Sequence, residues 1–572
     1  MNILGLVFIG ADPSVCLLQD GKVISMVEEE RIIRLKHATD HFPVQSIKSC
    51  LGQGSMTIDD IDYVTYPWET DKFTSGYIKN FYDSLNKKYN KDEKSKRWEE
   101  KQIELFNKDS ITERILSSLK KEFPKVRKLP QVKFIPHHYA HAFQAYMMSK
   151  FEDSLIFTID GSGDENSTVI WIAENNKIEK LREVNIPNSL GWFYAAFTEF
   201  LGFKAYDGEY KVMGLAAYGS YDQEIINKIE EVITYDESGN YQLNPDYIFY
   251  GKHTYSERFT DKLTELLGEP NFTQAVTKFS KNLAYAVQYH LEEVVVRMAK
   301  YWIKKTGIRK ICLSGGVAMN VKMNGRLNKQ EFVDKVFISY CCSDLGLSLG
   351  SAMVFAHECG VEISCDVNQP FLGPSYEEDE IKSILDECKL KYRYVENIEE
   401  EVAYLLTEQN IVGWFQGRGE VGARALGSRS ILADPRRIEN RDRVNKVIKQ
   451  RELWRPFCPA VLEEYASEYF NDCVQASYMT MTFDSVEERR NEIPAIVHVD
   501  GTVRPQTVNS KQNKKFYNML KAFHKLTSVP IVLNTSFNVK GEPIVYHPLD
   551  AVRCFYSTGL DVLVLGNIIV EK

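Results

Sequence analysis

At 572 residues the chain is too long for a single hydrophobic core, so two or more domains are expected. A 44% hydrophobic and 26% charged composition excludes disorder over most of its length. A net charge of −9 leaves no basic excess for binding nucleic acid by bulk electrostatics.

The N-terminus, MNILGLVFIGADPSVCLLQDG, lacks a basic n-region, and Asp12 and Pro13 interrupt its apolar run, so a buried first strand is expected rather than a signal peptide. No segment approaches the roughly 20 apolar residues a spanning helix needs. A soluble, cytoplasmic protein without membrane association is the expectation. The eleven scattered cysteines, with no CxxC pair, read as reduced thiols.

Apolar runs at 3–8, 15–18 and 23–27 predict strands, with Asp20-Gly21 turning between the last two, and Glu28-Glu29-Glu30-Arg31 follows. A second apolar run, 155–159, ends in Asp160-Gly161-Ser162-Gly163 and precedes another strand pair at 168–173 and 177–184. This weak duplication points to an actin-like ATPase core with two related halves. The polar stretch 86–103 reads as a solvated helix or insertion. Helical spacing over 275–305 leads into a strand at 310–313. Pro and Gly at 369–374 read as a linker, dividing the chain into domains 1–368 and 369–572. Strands at 392–395, 411–415, 531–533 and 562–565 mix with helices in the second.

In His137-His138-Tyr139-Ala140-His141, after Pro136, the outer histidines lie four apart on one helical face, where two imidazoles can hold one ion. Two structural histidines remain the plain alternative. Asp160 and Asp344, each placed at a strand end, are candidate carboxylate ligands, and such a set suits Fe(II), Mn(II) or Zn(II). Gly161 in the first glycine turn, Gly315 and Gly316 before Asn320, and Gly208-Glu209-Tyr210-Lys211 could bring backbone amides and a lysine to phosphate, though each is also an ordinary tight turn. Arg418, Arg424, Arg429, Lys449, Arg451 and Arg455 could grip a dianion, or form structural salt bridges. Asn534-Thr535-Ser536-Phe537-Asn538 adds amides and hydroxyls just after a strand.

Together these segments resemble the NodU/CmcH carbamoyltransferase family. The matching blocks are EEERIIRLKH, HHYAHA, DGSG, GEYKVMGLAAYG, LSGGVAMNVKMN, SDLGLSLGSA, GWFQGRGEVGARALGSRSILADPR, KQRELWRPFCPAVL, DGTVRPQTV and LNTSFNVKGEPIV, in order over nearly the whole chain. The resemblance implies an α/β protein with a duplicated actin-like, threonylcarbamoyl-transferase-like N-terminal domain and a YrdC-like α/β C-terminal domain. It implies that carbamoyl phosphate is cleaved in the latter, that the carbamate and ATP (with Mg²⁺) form carbamoyl adenylate, and that a metal-assisted transfer follows. The acceptor would be a small molecule, such as a natural product, with a hydroxyl or an amine. Carried over by position, His137, His141, Asp160 and Asp344 match the metal ligands, and Gly161, Lys211, Gly315, Gly316 and Asn320 the nucleotide blocks. Arg424, Lys449, Arg455, Arg504, Asn534 and Ser536 match the carbamoyl-phosphate and adenylate pocket, with His137, Lys449 and Arg455 also catalytic. The resemblance also points to a homodimer, and the acidic charge to no nucleic-acid partner.

One block departs from the family. Where it has His-Asp-x-Ser, this chain reads Ala11-Asp12-Pro13-Ser14, so the histidine held to deprotonate the acceptor is missing. Three explanations compete: another base (Asp12, or His37 folded nearby) serves, the acceptor is an amine, or transfer is impaired. Trp192, Phe193, Phe197 and Phe200 are either acceptor-pocket walls or ordinary core. Two competing functions are a tRNA-modifying carbamoyl transferase and a metal- and ATP-binding regulator without transfer activity.

Overall fold

The computed structural model describes residues 1–10, 12–74, 76–89, 93–248, 258–364, 369–452 and 454–572. These form two compact units, and the division runs through the first strand: 1–5 with 58–363, and 6–57 with 364–572. A boundary at residue 368 does not anticipate that 6–57 groups with the C-terminal residues.

The first five-stranded sheet comprises β1 (Asn2–Val7), β2 (Ser14–Gln19), β3 (Lys22–Glu28), β4 (Tyr63–Tyr66) and β5 (Gln131–Phe134), in the order β3-β2-β1-β4-β5. The hairpin pair is antiparallel, while β1, β4 and β5 run parallel. The second sheet is built from β6 (Asp153–Gly163), β7 (Asn166–Glu174) and β8 (Lys177–Asn185). After a short pair, β9 (Ile233–Tyr235) and β10 (Tyr241–Leu243), it is completed by β11 (Lys310–Ser314) and β12 (Lys335–Ile338). Its order, β12-β11-β6-β7-β8, repeats the first sheet strand for strand, with β6, β11 and β12 parallel and β6, β7 and β8 antiparallel. This is the duplicated actin-like core. Central β6 is buried along nearly its whole length and reads as a continuous apolar run, whereas edge strand β8 is largely polar and exposed. The helix Lys278–Thr306 begins at a Thr277–Ser280 capping box and stops at Gly307, whose φ is +79°.

The second unit has an eight-stranded mixed sheet in the order Arg393–Tyr394, Ile568–Glu571, Val562–Leu565, Val412–Phe415, Arg429–Ala433, Ile531–Ser536, Cys458–Leu462 and Gln506–Val508. Helices Ile398–Thr407 and Lys514–Thr527 lay Val402, Leu406, Phe516, Leu520 and Phe523 on it around the fully buried Trp414. The EEERIIR block is a docking element of this unit. Glu28 accepts from the Gly422 N–H at 2.6 Å, Arg31 donates to the Gly422 carbonyl at 2.7 Å, and Arg34 donates to the Pro543 and Ile544 carbonyls at 2.8 and 2.7 Å. Residues 369–374 are pinned rather than loose: Arg418 donates to the carbonyls of Gly373, Leu372 and Ile24 and to Gln53.

Candidate functional site

The helix His137–Ser149 starts directly after Pro136 and is capped from outside by Asp164, whose carboxylate accepts from the His137 N–H at 2.9 Å and the Glu69 N–H at 2.6 Å. His137 and His141 therefore face one way from the first turn. The Gly350 position of helix Leu347–Glu358 lies so close to the Ala140 carbonyl that a Cβ there would be 2.5 Å from its oxygen, a contact only glycine permits. That contact packs the helix following Asp344 against the histidine helix.

The Nε2 atom of His141 is 3.4 Å from Asp160 Oδ2 and 3.4 Å from Asp344 Oδ1; for His137 Nε2 the distances are 3.9 and 3.7 Å. One donor atom from each residue lies within 4.8 Å of all the others. Ligands about 2.0–2.1 Å from a tetrahedral ion sit about 3.3 Å apart, so this spacing suits a cation better than direct hydrogen bonds. Both ring nitrogens of His137, Nε2 of His141 and Oδ1 of Asp344 are buried without a hydrogen-bond partner, an arrangement too costly to keep for packing alone. The residues fit a divalent ion with nitrogen and oxygen ligands. His141 Nδ1 lies 3.1 Å from Ser314 Oγ, which in turn donates to the Cys342 carbonyl at 3.1 Å. Ser314 must then accept from Nδ1–H, which leaves the Nε2 lone pair directed at the cluster. Without an ion, burial pushes His141 down, but the Asp160 and Asp344 carboxylates outweigh it and raise it to about 9. Burial likewise opposes ionised Asp160, yet the two histidines hold its carboxyl well below the usual range. Asp344 is raised by burial and by the charge on Asp160.

Two expected details change. Asp160-Gly161-Ser162-Gly163 is not a turn after a strand: it is the end of β6, where the register shifts between Ile159 and Gly163. The glycine is needed because a Cβ on Gly163 would stand 2.1 Å from the His137 ring. Asp344 does not end a strand either, but opens a short 3₁₀ turn (Asp344–Gly346) beyond β12. Gly163→Ala is expected to weaken metal retention about 10–100-fold, read as metal content after dialysis. His138 faces away, bonded to Thr158 and the Asn166 carbonyl, and burial together with the charges of its two histidine neighbours pushes it down to about 3. His138→Ala should cost about 1–3 kcal/mol in calorimetry with metal content unchanged.

The nucleotide candidates have structural duties in the same unit. The Gly316 N–H donates to Asp160 at 2.9 Å, and the Gly315 N–H to the Cys342 carbonyl at 2.7 Å. Asn320 caps helix Val321–Asn328 and exchanges amide bonds with Gln288 at 2.9 Å. The Gly161 N–H returns to its neighbour Asp160 at 2.7 Å, and the Lys211 ammonium sits 5.2 Å over the Phe203 ring. Phe193, Phe197 and Phe200 are fully buried core, and Trp192 nearly so.

In the second unit, buried Lys449 donates to the Ser536 carbonyl and hydroxyl and to the Asn538 carbonyl and side chain, the last at 2.7 Å. Burial first, then repulsion from Arg451 and Arg455, lowers its pKa well below 10.5. Two residues earlier, on the same face of strand Ile531–Ser536, Asn534 donates to the Ala425 carbonyl and Gln506 and keeps a buried Oδ1 without a partner. Asn534 pairs in register with Cys458, whose sulfur lies 2.9 Å from Arg504 Nε; Arg424, half-buried, precedes Ala425. Arg418 and Arg429 do not belong here. Arg429 is fully buried, stacked 3.6 Å from the Phe415 ring centroid and bonded to the carbonyls of Gln416, Ser428, Pro374 and Gly417, so it staples backbone.

Residues 2–353 match the family model for the carbamoyltransferase N-terminus, and 403–572 that for the carbamoyltransferase C-terminus. The chain belongs to the carbamoyltransferase family. It is 33% identical to uncharacterized protein sll1178 of Synechocystis sp., over all of this chain and 97% of that one. It is 33% identical to nodulation protein NolNO of Sinorhizobium fredii, over 98% of this chain and 79% of that one. It is 37% identical to nodulation protein NolO of Bradyrhizobium diazoefficiens, over 76% of this chain and 78% of that one. This carbamoyltransferase is thus a transferase enzyme, and no described helix is long and apolar enough to cross a membrane.

In this carbamoyltransferase the Ala11 position lies outside the described residues. Next to it, Asp12 Oδ1 and His37 Nδ1 are 2.8 Å apart, and the Asp12 N–H donates to the His37 carbonyl at 3.0 Å. Both residues hold left-handed backbone, φ +58° and +64°, strain of the kind that gathers at working sites. Asp164 and Gln506 were not foreseen, whereas Asn538 belongs to the amide and hydroxyl segment expected after a strand.

Proposed function

We propose that the enzyme uses ATP with Mg²⁺ and carbamoyl phosphate to make carbamoyl adenylate, and transfers the carbamoyl group to a hydroxyl or amine of a small molecule. The observation that carries this reading is the cluster of buried, unpartnered imidazole and carboxylate atoms at His137, His141, Asp160 and Asp344. Lys449 supports it from the second unit, as a buried cation near Arg451 and Arg455 that donates to neutral oxygens of Ser536 and Asn538. Such a site gains most from a dianion, which supplies the missing counter-charge.

Lys449 and Arg455 hold the phosphoryl oxygens of carbamoyl phosphate and stabilise the charge on departing phosphate as water adds to the carbamoyl carbon and gives carbamate. The carbamate oxygen then bonds to the α-phosphorus of ATP, and pyrophosphate leaves. His137, His141, Asp160 and Asp344 would hold Fe(II), Mn(II) or Zn(II), which supplies Lewis-acid polarisation of the carbamoyl carbonyl when bound. Asp12 keeps His37 in the tautomer whose Nε2 can accept a proton, and this pair takes the proton of a hydroxyl acceptor as its oxygen bonds to the carbamoyl carbon and AMP leaves. With a hydroxyl acceptor, His37→Gln is expected to lower transfer about 10²-fold or more and to leave carbamoyl adenylate accumulating. An unchanged transfer rate in both His37→Gln and Asp12→Asn would remove the pair from the mechanism. The activation step is tested by exchange of labelled pyrophosphate into ATP, expected only when carbamoyl phosphate and Mg²⁺ are both present.

A further inference from the structure

None of the metal-cluster residues lines a cleft of the first unit, a space of about 820 Å³ between the end of β8 and the β9–β10 pair. Several side-chain acceptors along it are already engaged. Asn188 Oδ1 accepts from the Leu243 N–H at 2.9 Å, and Asn185 Oδ1 from the Asn166 amide at 2.6 Å. The Asp236 carboxylate accepts from the Ser238 hydroxyl and the Asn240 amide, each at 2.7 Å.

Some of the donors are not engaged. The guanidinium of Arg182, partly buried on edge strand β8, makes no direct hydrogen bond or ion pair with another described residue, and burial pushes it below the usual range against the opposing through-space pull of Tyr241 and the Asp236 carboxylate. The side-chain NH₂ groups of Asn185 and Asn188 also have no partner among the described residues. A partly desolvated fork of five N–H donors in a cleft that two further amides also line asks for oxygen acceptors, and a planar or tetrahedral oxyanion supplies them. Tyr77 and Tyr235 are held by their own hydroxyls, to the Ile186 carbonyl at 2.6 Å and to His290 at 2.9 Å, which fixes their rings as walls.

We propose that this cleft is a binding site for a small molecule bearing a phosphate or carboxylate, held by Arg182, Asn185 and Asn188. Its occupant also bears on the metal strand. Ser189, adjacent to Asn188, donates to the main-chain oxygens of Asp160 and Gly161 at 3.2 and 2.6 Å.

The test is calorimetric titration of the full chain carrying Lys449→Met, which removes the other anion pocket, with inorganic phosphate and separately with succinate. One of the two is expected to bind one-to-one in the low-millimolar range, and which one does identifies the oxyanion. Adding Arg182→Gln should weaken that binding at least about tenfold at an unchanged melting temperature, and Arg182→Lys should fall between. In the protein with Lys449 intact, the same anion should fill one fewer site when Arg182→Gln is present, which keeps the test independent of the lysine change. Absence of saturable binding of both anions by about 20 mM, or affinity indifferent to Arg182→Gln, overturns the assignment.

Discussion

His141→Ala protein is expected to retain no stoichiometric Fe, Mn or Zn after dialysis and to transfer carbamoyl groups about 10²–10⁴-fold more slowly. Losing a Lewis acid worth several kcal/mol at the carbonyl corresponds to a rate change of that size. The His141 Nε2 is buried, has no hydrogen-bond partner among the described residues and lies 3.4 Å from both Asp160 and Asp344, the surroundings of a ligand atom. pH supplies an independent reading. In the metal-free protein His141 lies at about 9, above its ordinary 6.5, so its contribution to stability is complete below pH 6.5 and is lost as pH rises through 9. Metal must displace that proton. Metal affinity should therefore rise with pH, by about tenfold per unit, and level off near pH 9. A pH-independent affinity would mean that His141 is not a ligand.

Lys449→Met is expected to fall about 10²-fold or more in turnover with carbamoyl phosphate, while its metal content stays at the wild-type value. Lys449 meets four oxygen acceptors on Ser536 and Asn538, and burial and two arginines lower its pKa. A bound dianion reverses that shift, so binding takes up a proton once the pH exceeds the pKa of the empty site. The KM for carbamoyl phosphate should accordingly climb as pH rises, and this dependence should vanish in Lys449→Met. A flat KM in the wild-type protein would place the substrate elsewhere.

How far the sequence foretold these sites varies with the kind of contact. His137 and His141 were legible because helical periodicity alone puts residues four apart on one face. The two sheets could be anticipated from the repeated strand-and-hairpin pattern, since apolar runs and an Asp-Gly turn are local signals. Asp160 could be named, but not its place inside β6, because the register shift there and the close approach of the His137 ring to Gly163 are tertiary features that no local pattern encodes. Arg418 and Arg429 look like any substrate-binding arginines until the carbonyls that surround them are seen. The grouping of 6–57 with the C-terminal residues depends on Arg31 and Arg34 reaching residues nearly four hundred and more than five hundred positions away, which no local pattern encodes.

The most direct measurement is mass spectrometry of the purified protein incubated with ATP, Mg²⁺, Fe(II) and carbamoyl phosphate, with no acceptor added. Carbamoyl adenylate and pyrophosphate are expected in equal amounts. With the metal confirmed bound, the absence of both would contradict carbamoyl activation by this chain and leave its cation pocket and metal centre in need of a different substrate.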